Sequence, residues 1–239
     1  MLKKKLIAII FLVAVILFIG FKSYIYFTFK SVYDTAINSG EEYGKYFVDE
    51  AIAIDLPAVS NVTDYNKVTL DFLEVELPYT NLIKTTVLEN SIAYTYQAGD
   101  NEVMVWPYNF GLYGDDIYNQ ELVDQWNSKY NLKIKTHKDY YDEMWARDYH
   151  IVNAATPIKT TSMYKDLLTN RTLITPLGQI YTFTNDNYSG YIVKSDLIMV
   201  HLFDKTGKSV CEFRLMTQDS SEKFDWSTIK NIVGSIKIK

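Results

Sequence analysis

The sequence predicts an α+β protein with one N-terminal transmembrane helix and a mainly antiparallel β-sheet packed with helices, an α/β/α sandwich. Two observations support this prediction. Residues 6–20 contain no polar side chain, and twelve of these fifteen residues are Leu, Ile, Val or Phe. In the last third of the chain, short apolar runs alternate with turn residues and precede an amphipathic segment, which is typical of antiparallel strands followed by a helix.

The apolar segment at residues 6–29 is long enough to cross a bilayer, and it includes Leu6, Phe11, Leu17 and Phe29. Its first fifteen residues contribute roughly −4 to −7 kcal/mol of insertion free energy. Lys22 interrupts the segment near one end, where a long side chain can reach the lipid headgroups. We therefore predict a single membrane span over residues 6–29.

Lysines at positions 3–5 precede the span, and basic residues beside a span favour the cytoplasmic side. A cleaved signal peptide shares this basic start and apolar core, so it is the competing interpretation. The residues after Gly20 are bulky and lack the small residues of a cleavage site, which favours a retained signal-anchor. Both interpretations export the rest of the chain. The predicted location is the cytoplasmic (inner) membrane, single-pass, with the domain on the periplasmic side.

The helical spacing of apolar residues continues after the span, over residues 31–56. Gly40 and Gly44 weaken this predicted helix, and Pro57 ends it. The pattern leaves open whether the helix is a stalk above the bilayer or a first helix packed on the domain. The predicted organisation is therefore a cytoplasmic tail at 1–5, an anchor at 6–29, a stalk or packing helix at 30–57, and an extracytoplasmic α+β domain at 67–239.

The exported part contains segments of both periodicities. Alternation of apolar and polar residues predicts strands, and apolar residues at i, i+3 and i+4 predict helices. The predicted strands lie at 68–78, 91–97, 102–106, 179–184, 188–194, 197–203 and 208–216. The predicted helices lie at 119–130, 139–155 and 162–168, followed by a final helix that Asp225 caps through its side chain.

A strand that ends in Glu76-Leu77-Pro78, a late meander of strands and a closing helix that ends at residues 232–238 define the ends of the domain. This layout resembles the PsbP-like family of α/β/α sandwich proteins over residues 68–239. The resemblance implies an antiparallel sheet with helices on both faces, and a binding or accessory role more than catalysis. The helical middle, residues 119–168, is longer than that family has, and no site residue carries over.

Composition narrows the classes of partner and of covalent structure. The net charge is −5, which argues against a nucleic-acid partner. Cys211 is the only cysteine, so no disulfide framework is expected, and the alternation around it predicts a buried strand position. The 20 tyrosines are typical of a surface that binds protein, peptide or sugar, and equally of a biased codon usage.

Three groups of residues are candidates for chemistry. On a continuous helix, Asp139 and Glu143 would share a face and His150 would add a third metal ligand, although a solvated helix face has the same pattern. Asp115 and Asp116 lie in a glycine-broken loop and are candidates for a binding loop, with a solvated turn as the alternative.

The third candidate is a nucleophile pair, His201 and Cys211, on two neighbouring predicted strands. The alternative is that packing alone decides where each side chain points, since no third group orients the histidine. No motif identifies a reaction, so no catalytic residue and no cofactor is predicted.

The leading functional hypothesis is a membrane-anchored binding protein of the bacterial envelope, with the lipid bilayer and another protein as its partners. An immunity protein that neutralises a toxin is one concrete version. The alternatives are a metal-assisted hydrolase of the envelope and a structural envelope subunit.

Overall fold

A central eight-stranded sheet organises the protein. The structure is a computed structural model that describes residues 2–39, 44–57, 65–115, 117–176, 178–217 and 224–239. The described helices are α1 (Leu2–Asn38), α2 (Phe110–Tyr113), α3 (Gln120–Tyr130), α4 (His137–Trp145), α5 (Ile158–Ile174) and α6 (Trp226–Ser235). The described strands are β1 (Ile52–Ala53), β2 (Asn66–Leu70), β3 (Leu73–Leu77), β4 (Asn81–Leu88), β5 (Ser91–Ala98), β6 (Asn101–Asn109), β7 (Gln179–Thr184), β8 (Ser189–Lys194), β9 (Leu197–Phe203), β10 (Ser209–Thr217) and β11 (Lys237–Ile238).

The strand order of the large sheet is β1-β7-β8-β9-β10-β6-β5-β4, and a small sheet has the order β11-β3-β2. Neighbouring strands are antiparallel, apart from the parallel pair β1–β7. This agrees with the predicted α+β class and its mainly antiparallel sheet. Helix α6 and the small sheet lie on one face, and the other helices pack on the opposite face. The small sheet was not predicted.

Two hydrophobic cores lie on the two faces because successive strand side chains point in opposite directions. The helix-side core joins α1, α3, α4 and α5 to β7, β8 and β9, with Trp145 and Tyr191 at 0% and 2% exposure. The small-sheet core joins α6 and β3 to the other face of β6, β8, β9 and β10. Cys211 lies in this second core, fully buried, so its predicted strand position is confirmed.

Helix α1 is continuous from Leu2 to Asn38 and has two environments. Apolar side chains along its first half are exposed, including Phe11 at 70% and Leu17 at 67%. Phe29 and Ala36 in its second half are buried in the helix-side core. The helix contains a segment apolar and long enough to be a membrane anchor or a signal sequence. Its last turns pack on the domain instead of rising clear of it as a stalk.

The prediction of a helix over residues 31–56 is wrong beyond Asn38. A 3₁₀ turn occupies Gly44–Tyr46, and β1 pairs with β7. A Cβ at Gly44 would lie 2.6 Å from the carbonyl oxygen of Ile37, so only glycine allows the chain to fold back against α1 here. The pairing of β1 with β7 at the edge of the large sheet therefore overrides the helical spacing of apolar residues in this segment. Gly40 lies outside the described residues.

The predicted helix over residues 139–155 is also wrong in its second half. In a continuing helix, the N–H of Tyr149 would donate to the carbonyl oxygen of Trp145. Instead, Trp145 O accepts from Ala51 N at 3.2 Å, and Tyr149 N donates to Val48 O at 3.0 Å. The segment before β1 thus takes both hydrogen-bonding groups, and α4 ends at Trp145.

The other predicted elements differ from the structure mainly at their ends. The strands at 179–184 and 197–203 match β7 and β9, and Asp225 caps α6 by accepting from Thr228 N. The predicted strand at 68–78 is a hairpin, with Asp71 at a positive φ of 52° in its turn. The helix predicted at 162–168 is a 17-residue helix, α5. Strand β4 was not predicted.

Gly190 on β8 provides a test of the packing between neighbouring strands of the large sheet. A Cβ at this position would lie 2.5 Å from His201 O and 2.7 Å from the Phe183 ring. We expect Gly190→Ala to lower the free energy of unfolding by about 1–3 kcal/mol, because backbone and ring must move apart. Urea unfolding of the full chain in detergent measures this. Ser189→Ala, on the same strand, is the control and should change stability by less; equal stability of Gly190→Ala and wild type would contradict the packing.

Candidate functional site

The helical layer leaves part of the large sheet uncovered, and a pocket lies at that boundary. Among the described residues, the buried sheet residues of the helix-side core come from β7, β8 and β9, not from β10, β6, β5 or β4. A pocket of about 230 Å³ opens over β10 and β6. Its lining, which we call the aromatic pocket, consists of Trp106, Tyr108, Phe110, Ile117, Glu212 and Arg214.

Strand register places these side chains in rows across the sheet. Glu212 lies opposite Tyr108 on β6 and opposite His201 on β9, so the three share one face. In the next row, Arg214 lies opposite Trp106. The Arg214 guanidinium is 4.8 Å from the Trp106 ring and forms an ion pair with Glu212. Each row therefore runs from the core at β9 towards the open surface at β6.

Helix α2 forms one wall of the pocket. The side chain of Asn109 caps this helix by accepting from Gly111 N at 2.8 Å. The Phe110 ring is buried against His201, with 4.8 Å between ring centroids. Leu112 and Tyr113 point outwards and are 67% and 44% exposed. The Tyr113 ring centroid lies 5.8 Å from that of Tyr108, so α2 adds an exposed apolar and aromatic rim beside the pocket.

A buried polar network lies behind the pocket and centres on Asp115, whose side chain is 1% exposed. Its carboxylate accepts from the Tyr141 hydroxyl at 3.0 Å, and from the backbone N–H groups of Ile117 and Tyr118 at 3.1 and 3.2 Å. The Ser209 hydroxyl also donates to it. The predicted binding loop therefore places Asp115 inside the protein, as a hydrogen-bond acceptor, while Asp116 lies outside the described residues.

His201 connects this network to Glu212. Its Nε2 lies 2.9 Å from Ser209 Oγ, and its Nδ1 lies 4.0 Å from Glu212 Oε2. Because the Ser209 hydroxyl gives its proton to Asp115, Nε2 must carry a proton and donate to Ser209. The bare Nδ1 then faces Glu212, and it has no hydrogen-bond partner among the described residues.

Burial decides the protonation of this network. Desolvation lowers the pKa of His201 to about 4, against the opposing effect of Asp115. Desolvation also raises the pKa of Glu212, an effect that Arg214 opposes. The pKa of Tyr141 is raised well above its ordinary value, first by burial and then by Asp115. At neutral pH, His201 is therefore an uncharged hydrogen-bond donor.

The Ser209–His201 contact is not a nucleophile arrangement. A serine nucleophile needs a base that accepts its proton, whereas here the serine donates to Asp115 and accepts from the histidine. Ser209 and His201 are 1% and 0% exposed, so substrate has no access to either. The network is built to hold the loop and helices on the sheet.

The structure does not bring the predicted metal ligands together. Asp139 belongs to the capping box of α4, accepting from Thr136 N at 2.9 Å, and Glu143 forms an ion pair with Arg147. His150 lies beyond the end of α4, with its Nε2 2.6 Å from Asp49 Oδ1. Within the described ranges, no three His, Cys, Asp or Glu side chains are placed to hold a metal ion together.

The predicted nucleophile pair is also separated. Cys211 lies opposite Leu202, and both belong to the small-sheet core, whereas His201 faces the helices. Burial raises the pKa of the Cys211 thiol, which keeps it protonated. The two side chains therefore point to opposite faces of the sheet.

The sequence does not predict the aromatic pocket, because the predicted strand at 102–106 ends at Trp106, before Pro107. Strand β6 nevertheless continues to Asn109. Its pairing with β5 ends at Val105, so Pro107 has a neighbouring strand on one side only, β10, and its missing N–H is tolerated there. The alternation of Val103 and Val105 with Trp106 and Tyr108 was the signal for a strand with one aromatic face.

No family model, no curated protein and no solved structure matches this chain. The resemblance to PsbP-like proteins therefore stays a prediction. The molecule is an α+β protein with one long apolar N-terminal helix.

The buried histidine predicts a specific pH dependence of stability. His201 has a pKa of about 4 when folded and an ordinary value of 6.5, so the unfolded chain binds more protons between these values. The contribution of His201 to the free energy of unfolding is fully present above pH 6.5. It is lost as the pH falls towards 4, by about 3 kcal/mol in total. Urea unfolding from pH 7 to 4 should show this loss in wild type and less of it in His201→Gln.

Glu212 acts with the opposite sign, because its raised pKa favours the folded state at low pH, and it is present in both proteins. The difference between the two proteins therefore isolates His201. Ser189→Ala, which removes no titratable group, is the control and should keep the wild-type slope. If the free energy of unfolding of His201→Gln falls with pH as steeply as that of wild type, a group other than His201 causes the loss.

Proposed function

We propose that this chain is a membrane-anchored binding protein of the bacterial envelope, whose domain lies outside the cytoplasm and holds a partner protein at the aromatic pocket. An immunity protein that neutralises a toxin is the concrete version. The observation that carries the proposal is the aromatic pocket with the exposed rim of α2 beside it.

The composition of this surface supports protein binding. Tyrosine, tryptophan and arginine are the residues enriched where interfaces gain most of their affinity. Trp106, Tyr108 and Arg214 line the pocket, and Tyr113 lies on the rim beside Tyr108. The pocket volume of about 230 Å³ is below the range of about 300–1,000 Å³ that is usual for small-molecule sites. It suits one apolar or aromatic side chain of a partner.

Charge and position support the envelope setting. The apolar side chains in the first half of α1 are exposed over a larger continuous surface than soluble monomers tolerate, which favours insertion into a bilayer. The lysines at positions 3–5 favour the cytoplasmic side, which sends the domain outwards. The net charge of −5 favours capture of a basic partner, because opposite charges speed encounter.

Neither alternative gains support from the described residues. A metal-assisted hydrolase would need clustered ligands, and Asp139, Glu143 and His150 each have other partners. A structural envelope subunit would leave the aromatic pocket without a role.

The location is tested on the full chain expressed in bacteria. We expect it to stay in the membrane fraction after an alkaline carbonate wash, because α1 holds it in the bilayer. Protease added to intact spheroplasts should remove the domain while a cytoplasmic marker survives. Full-length protein in the soluble cytosolic fraction, or a domain protected like the marker, would contradict the proposal.

Binding is tested by substitution at the exposed rim of the pocket. The immunity version predicts that a gene beside this one encodes a toxin, so cells that express this neighbouring gene should survive with the wild-type chain and die without it. Tyr113→Ala combined with Leu112→Ala should weaken purified toxin binding by about 30-fold, the effect of losing about 2 kcal/mol at an interface centre. Isothermal titration measures this.

The control for the leucine is Leu173→Ala, which removes a leucine of similar exposure, 78% against 67% for Leu112, from α5. It should leave affinity and survival unchanged. Survival that does not depend on the chain, or equal affinity of the rim variant and the control, counts against the proposed function.

A further inference from the structure

The junction between α1 and the domain determines how the domain stands on the bilayer. Lys22 Nζ donates to the carbonyl oxygen of Ala155 at 3.3 Å, and Phe29 is buried two turns later. Helix α1 has no break between its exposed part and its packed part. The depth at which the apolar part of α1 lies in a membrane therefore determines the distance between the domain and the bilayer.

The length of the exposed part leaves no gap between domain and bilayer. From Leu6 to Phe21 the helix rises about 24 Å, while the hydrocarbon core is about 30 Å thick and needs about 20 residues. With Lys3–Lys5 at the cytoplasmic headgroups, the hydrocarbon reaches to about residue 25. Lys22 and the turn that it contacts therefore lie at the outer edge of the membrane.

The turn at residues 153–157 suits this position. Asn153 Oδ1 accepts from Ala155 N at 2.9 Å, Asn153 N donates to Thr156 Oγ1 at 3.0 Å, and Thr156 N donates to Asn153 O at 3.0 Å. The turn is exposed and satisfies these polar groups internally, which lowers the cost of leaving water.

The other side of α1 at this height carries interfacial aromatic side chains. Tyr24 and Phe27 are 63% and 66% exposed. The amphipathic Tyr24 ring favours the boundary between headgroups and acyl chains, and the Phe27 ring adds exposed apolar surface beside it. Lys159, exposed in the first turn of α5, adds a positive charge close to the turn, which favours anionic headgroups.

We propose that the 153–157 turn and the exposed aromatic face of α1 form a lipid-contacting surface that seats the domain directly on the outer headgroups, without a stalk. This rests on the proposed function, since it requires α1 to be inserted. The domain then has one fixed orientation, and a partner reaches the aromatic pocket on a body that cannot swing away from the membrane.

The test uses the full chain in liposomes that contain phosphatidylglycerol, with Cys211→Ser as the background. Single cysteines carry an environment-sensitive fluorophore at Ala154→Cys, Phe18→Cys or Asn38→Cys. Asn38 is the matched control, because it is exposed and lies about 24 Å further along α1 from Lys22. Quenching by a lipid with a spin label on its headgroup is measured for each site, and quenching by an acyl-chain spin label for Phe18→Cys.

We expect headgroup quenching to be at least about threefold greater at Ala154→Cys than at Asn38→Cys, because of their separation along the helix axis. If the acyl-chain label quenches Phe18→Cys, α1 is inserted in the bilayer. Equal and weak headgroup quenching at Ala154→Cys and Asn38→Cys would then contradict the seating of the domain but not the membrane anchor. No quenching at Phe18→Cys would overturn both the seating and the membrane anchor.

Discussion

The carboxylate of Asp115 is the acceptor on which the arrangement of the helical layer depends. It binds the backbone before α3, the Tyr141 hydroxyl on α4 and the Ser209 hydroxyl on β10. A buried carboxylate is costly unless hydrogen bonds replace water, so these groups must stay in place together. One side chain thereby fixes a loop, a helix and a strand.

That fixation also shapes the aromatic pocket. Ile117 follows Asp115 and lines the pocket, and Phe110 packs on His201 beside the same network. Because His201 is buried and uncharged at neutral pH, it brings no positive charge into the network. The polar groups behind the pocket thus hold its wall, while the aromatic side chains and Arg214 form its open surface.

Helix α1 unites two environments that proteins usually separate by a linker. Its second half belongs to the core through Phe29 and Ala36, and its first half is exposed and apolar. His150 adds a polar contact to α1, since its Nδ1 lies 2.7 Å from the Tyr33 hydroxyl. A residue suggested by sequence as a metal ligand therefore joins the helix to the domain.

Sequence alone determined the apolar N-terminal helix, most of the late strands, the Asp225 cap and the burial of Cys211, because these follow from local periodicity and side-chain chemistry. Only the tertiary structure decided where α1 and α4 end, since the 48–51 segment takes the hydrogen bonds that α4 would need to continue. It alone assembled Trp106, Tyr108, Glu212 and Arg214, which are distant in sequence and meet through strand register. Periodicity describes one segment at a time, whereas a pocket depends on which segments become neighbours.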